Sequence, residues 1–147
     1  MLAGAHAGKA GELEVIVQGF RASTEREIAQ GLWLGGEEGI AGKRPDVLLR
    51  SGMHVYWIEV ERSRKNAKDY KALLVWLTRV LHDSTQIGGS RLLRFGQQWE
   101  RVIFICTRAF ETKLRKDLEA VSWTPKQINM LLSFKSALYH FEETLFP

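Results

Sequence analysis

Two short apolar runs between Lys43 and Asn66 end in carboxylates: Asp46 opens PDVLLRS, and Glu59 and Glu61 close HVYWIEVE. A basic run follows at once, with Arg62, Arg64, Lys65, Lys68 and Lys71 in close succession. Carboxylates held together repel unless a cation neutralises them, and hard oxygen donors select Mg²⁺ or Mn²⁺. Such an ion clamps a phosphate and lowers the pKa of a water for attack on it. The neighbouring Lys and Arg charge suits a nucleic-acid backbone. Acids for metal beside cations for phosphate are the two halves of a phosphodiesterase site. Each half also has an ordinary use, since Pro-Asp is a common turn device and a Glu-x-Glu with a basic tail makes surface ion pairs at a solvated strand end.

For the acids to act together, the elements must converge them. Strand side chains alternate between faces, so Val55, Trp57, Glu59 and Glu61 share one face of the second run while Tyr56, Ile58, Val60 and Arg62 share the other. Ser51-Gly52 between the runs predicts a hairpin, and hairpin pairing brings Asp46 alongside Glu59 and Glu61. Upstream, Leu13, Ile16, Val17 and Phe20 recur at helical spacing, and STEREIAQGL starts a second helix capped by Ser23 or Thr24. Its first turns hold Glu25 and Glu27, where acids also favour the helix macrodipole. Leu32 to Leu34 is expected as a short strand before a Gly-broken loop. Tyr70, Leu73, Leu74, Leu77, Val80 and Leu81 define an amphipathic helix from Asn66 to His82, and RVIFIC reads as a central strand covered on both faces. Phe110, Leu114, Leu118 and Val121 mark another helix, TPKQ at Thr124 to Gln127 opens a further one, and a last strand is expected around Ala137 to Phe141. The order predicts one α/β domain over residues 1–147, a mixed sheet flanked by helices.

The stretch RPDVLL…WIEVERSRKN resembles the PD-(D/E)xK restriction-endonuclease-like superfamily, whose core runs helix, three strands, helix, strand. More narrowly, TEREIAQ followed by KRPDVLL and IEVERSRKN is similar to the endonuclease-like domain of replication-relaxation and plasmid mobilisation accessory proteins. The likeness covers residues Ala22 to Leu77. It implies that Asp46 and Glu59 are the two metal-binding acids, that Glu25 or Glu27 is an added helical acid, and that Mg²⁺ or Mn²⁺ is the cofactor. At the third motif position, usually Lys, this chain has Glu61. Either Glu61 serves there or a Lys of the following helix, Lys65, Lys68 or Lys71, replaces it. The implied function is DNA endonuclease action in mobile-element mobilisation or replication, with DNA bound by Arg62, Arg64, Lys65, Lys68 and Lys71. The alternative is a catalytically inactive accessory that binds DNA or a relaxase, and a homodimer is compatible with either.

The bulk composition sets outer limits. Lys and Arg number 21 against 17 Asp and Glu, a formal charge of +4, which permits an anionic partner. The lone Cys106 lies in an apolar run, so no disulfide framework or thiolate metal cage is built within one chain, and packing is its expected role. His6, His54, His82 and His140 lack zinc-ligand spacing. No signal-peptide core and no run of about 18 apolar residues is present, so the expectation is a soluble, cytoplasmic protein without a membrane partner. Most of the tryptophans are expected to pack, and Gly88 to Arg101 reads as a surface loop with arginines that suit DNA contact.

Overall fold

The computed structural model describes residues 20–61 and 66–136. Five strands form one mixed sheet in the order β1 (Phe20–Ser23), β2 (Val47–Ser51), β3 (His54–Val60), β4 (Gln98–Cys106) and β5 (Leu132–Ser136). The first three pair antiparallel, and β3–β4 and β4–β5 pair parallel. Antiparallel neighbours need only a tight turn, whereas parallel ones need a crossover. Accordingly α2 (Ala67–Ser84) lies between β3 and β4, and α3 (Arg108–Ala120) and α4 (Pro125–Leu131) lie between β4 and β5. The short α1 (Glu25–Ala29) follows β1. The expected α/β architecture, a mixed sheet with flanking helices, is therefore present. Among the described residues no helix is long and apolar enough to cross a membrane.

Alternation along the strands divides the sheet into two faces. Leu48, Val55, Trp57, Val102, Phe104 and Cys106 join one core with Leu73, Trp76, Leu77, Val80 and Leu81 of α2, Leu114 and Leu118 of α3, and Ile128 and Leu131 of α4. Val47, Leu49, Ile58, Ile103 and Ile105 form a second cluster on the opposite face. In α2 the buried positions recur at three- and four-residue spacing, the stripe an amphipathic helix turns inward. Asn66 caps it, its side chain accepting from the Asp69 N–H at 2.8 Å. Thr124 caps α4 with the expected Pro125 start and a reciprocal Gln127 bond. The β2–β3 turn is Gly52-Met53, with Ser51 paired to His54; Gly52 has φ of 61°, the left-handed region that glycine enters without penalty.

Four expectations shift. Phe20 belongs to β1 rather than to a helix, and the rest of that predicted helix lies outside the described residues. Leu32 to Leu34 is loop, because Trp33 and Leu34 pack on the core instead of pairing. Strand β4 begins at Gln98, three residues before the apolar run, since Trp99 is buried while Gln98 and Glu100 face solvent and hide the strand signal. The last described strand is Leu132–Ser136, earlier than the segment expected, and residues 137–141 lie outside the description.

Candidate acid-pair site

Pro45 is buried and begins the approach to β2, and Asp46 follows it beside the end of β3. Asp46 donates its N–H to the Ile58 carbonyl at 2.9 Å, and its Oδ2 accepts the Val60 N–H at 2.6 Å. The residue is thus pinned by backbone on both sides of Glu59. Strand alternation turns Glu59 to the same face as Trp57, into the larger core, where its exposure is only 5%. A carboxylate there needs partners. Trp57 Nε1 donates to Glu59 Oε2 at 2.7 Å, and Lys43 Nζ stands 3.5 Å from the same oxygen.

Burial pushes the Glu59 carboxyl up to about 7. The Lys43 ammonium and the Trp57 hydrogen bond oppose that rise, and the Asp46 and Glu61 charges add to it. Both other acids of the motif therefore act on Glu59. Glu61 continues the strand pairing, its N–H donating to the Ile105 carbonyl at 2.9 Å. The same Glu61 charge, after burial and Glu111, helps raise the Cys106 thiol to about 12. That cysteine is 2% exposed and packs in the core, as its sequence context predicts.

Lys43 carries no motif signal, and its role emerges only from the fold. Ile40 and Lys43 exchange both backbone hydrogen bonds, at 2.9 and 3.1 Å, around Ala41 (φ 53°) and Gly42 (φ 83°). Two central residues at positive φ give a tight hairpin turn. At Gly39 an added Cβ would sit 2.5 Å from the Lys43 carbonyl oxygen, so the close approach requires glycine. Trp76 Nε1 donates to the Ile40 carbonyl at 2.9 Å and ties this turn to α2. Lys43 Nζ then lies 5.9 Å from the Trp76 ring centroid, within cation–π range. Trp57 itself is fully buried among Trp33, Trp76 and Trp99, with ring centroids 5.9, 4.7 and 5.8 Å away. Trp57 carries Glu59 to the edge of this indole cluster, and rings packed in this way are not free to stack bases.

The other sequence candidates have contacts of their own, are exposed, or lie outside the described residues. Glu27, expected among the metal ligands, reaches back to its own helix cap: its Oε1 accepts the Thr24 N–H at 2.9 Å, and the Thr24 hydroxyl accepts the Glu27 N–H at 3.3 Å. Glu25 is exposed in the same turn. Lys68 and Lys71 are exposed on the first turns of α2. Arg62, Arg64 and Lys65, which the sequence offers as phosphate-binding or catalytic cations, lie outside the described residues. Among the described residues no three His, Cys, Asp or Glu side chains are gathered as a metal cage. The arrangement is a pair, Asp46 and Glu59, with Glu61 acting on it through charge.

No protein-family model, curated protein or solved structure matches the chain.

Proposed function

We propose that this domain has a restriction-endonuclease-like fold and acts on DNA, with divalent-metal-dependent phosphodiester hydrolysis at the acid pair. The observation that carries the reading is the juxtaposition of Asp46 and Glu59 across β2 and β3, one pinned by backbone and the other buried against the core. Strand pairing supports it in part: the antiparallel β1–β2–β3 run, the crossover α2 and the parallel β4 fit the three strands, helix and strand that the PD-(D/E)xK resemblance implies, although α1 falls between β1 and β2 and the segment ahead of β1 lies outside the described residues. The donor set fits a hard cation, because Glu59 sits among acids with one ammonium to offset them. Asp46 and Glu59 would hold Mg²⁺ or Mn²⁺, with Glu61 adding negative charge. When bound, such an ion supplies Lewis-acid polarisation of phosphate and a water of lowered pKa. Lys43, released from Glu59, would then donate to a phosphate oxygen and stabilise the charge developing there. A role in mobile-element mobilisation or replication rests on the resemblance of TEREIAQ, KRPDVLL and IEVERSRKN.

One observation favours a second reading, a non-catalytic accessory that binds DNA or a relaxase. Lys43 already neutralises Glu59 from within the chain, as it would where an internal ion pair had replaced a metal. Incubating supercoiled and single-stranded DNA with the protein in Mn²⁺ or Mg²⁺ separates the two. Hydrolysis predicts metal-dependent nicking that Asp46→Ala and Glu59→Ala both abolish. Salt-sensitive DNA binding without nicking, unchanged in both variants, would leave the accessory.

A further inference from the structure

Roughly 20 Å along β3 from the acid pair, the segment from Thr85 to Gln97 joins α2 to β4, and it is firmly built. The buried Asp83 accepts from the Ser90 hydroxyl, from the Arg91 and Leu92 N–H groups at 2.8 and 3.2 Å, and from Trp99 Nε1 at 2.8 Å. Leu93 is buried in the main core. On this anchored base the chain displays apolar groups outward: Phe95 is 79% exposed and Ile87 97%. Met53 of the β2–β3 turn is alongside, since its carbonyl accepts the Gln98 N–H at 2.7 Å and a Cβ added at Gly96 would lie 3.3 Å from its Cε.

The backbone at Phe95 is unfavourable by local criteria. Phe95 (φ 62°) and Gly96 (φ 75°) are the centre of a turn closed by the Gln97 N–H and the Arg94 carbonyl at 3.3 Å. That first position suits Asn, Asp or Gly, and a bulky aromatic there is strained. No burial of the ring offsets the strain. Strain of this kind points to a function for the side chain that keeps it. Arg91 and Arg94, both exposed, precede Phe95 in the same loop, and the chain from Thr85 to Trp99 contains no Asp or Glu. A partner complementary to this surface would be anionic and would present a flat apolar face.

We propose that this loop is a platform for single-stranded nucleic acid, with an unpaired base stacked on Phe95 and adjoining phosphates on Arg91 and Arg94. The inference rests on the nucleic-acid part of the function proposed above and is independent of hydrolysis. A base within a duplex has both faces covered, so the platform selects unpaired strands. The test uses fluorescence anisotropy with a labelled single-stranded oligonucleotide, its duplex, and anionic phospholipid vesicles as the competing anionic surface. Phe95→Gly is expected to raise the thermal midpoint, because glycine relieves the turn, while weakening single-strand affinity about tenfold. Arg91→Ala/Arg94→Ala is expected to flatten the dependence of log K on log salt by about 1.4. Equal single-strand binding by Phe95→Gly and the parent overturns the platform, as does equal parent affinity for duplex, or binding to vesicles in place of oligonucleotide. If metal-dependent nicking persists in such a case, only the platform falls. If the parent binds no nucleic acid, the proposed function falls with it.

Discussion

Glu59 is a carboxylate withdrawn from water, with two acids acting on it and one ammonium to offset them. Its folded pKa of about 7 stands above the 4.5 of an ordinary glutamate. The folded state therefore binds the proton more tightly than the unfolded one. The associated stability is fully present below about pH 4.5 and is lost as pH rises through about 7, to the extent of about 3 kcal/mol. Glu59→Gln removes that slope, and urea denaturation at pH 5 and pH 8.5 measures it; an equally steep decline in the variant would contradict the assignment. Lys43→Met withdraws the offsetting charge and shifts the titration upward by about one unit. The Trp57 indole N–H resonance reports this directly, since that group donates to Glu59. At this scale the sequence was informative about the acids and silent about their cation. Asp46 and Glu59 stand out through Pro-Asp and strand alternation, whereas Lys43 reaches Glu59 only through a turn at Ala41-Gly42 and an indole from α2.

At the scale of elements, the hairpin, α2 and the cap of α4 were legible because each has a local signal: Ser51-Gly52, a helical apolar stripe, and Thr-Pro-Lys-Gln. The 85–97 segment was legible as a loop, but what anchors it was not. Its organiser, Asp83, sits near the end of a helix, and its partners lie seven to sixteen residues later. Burial would raise the Asp83 pKa, but the hydrogen bonds from Ser90, Arg91, Trp99 and Leu92 hold it below the usual range. Its contribution is thus present above the ordinary aspartate pKa and lost as acid protonates it. Asp83→Ala leaves several donors without an acceptor, and we expect a destabilisation of about 3 kcal/mol or more. Native-state hydrogen exchange should show the Arg91 and Leu92 amides losing protection in that variant. Unchanged protection would mean that the loop is organised by Leu93 alone.

For the molecule as a whole, a ligand that binds only the folded state raises its stability. Added Mn²⁺ at pH 8, where Glu59 is ionised, should raise the thermal midpoint by several degrees in the parent and leave Asp46→Ala unmoved. A shift of equal size in both would place the metal elsewhere. The sheet also sets an order of events. Asp46 and Glu59 belong to a hairpin closed by Gly52 and Met53, while β3 meets β4 only after the chain has passed through α2 and the segment to Gln98. A hairpin closes in about 1–10 μs, but a parallel crossover waits on a long loop. A chain emerging from the ribosome would therefore bring its two carboxylates together while water still surrounds them. Their repulsion is at its mildest during assembly and becomes severe only when the core closes over Glu59.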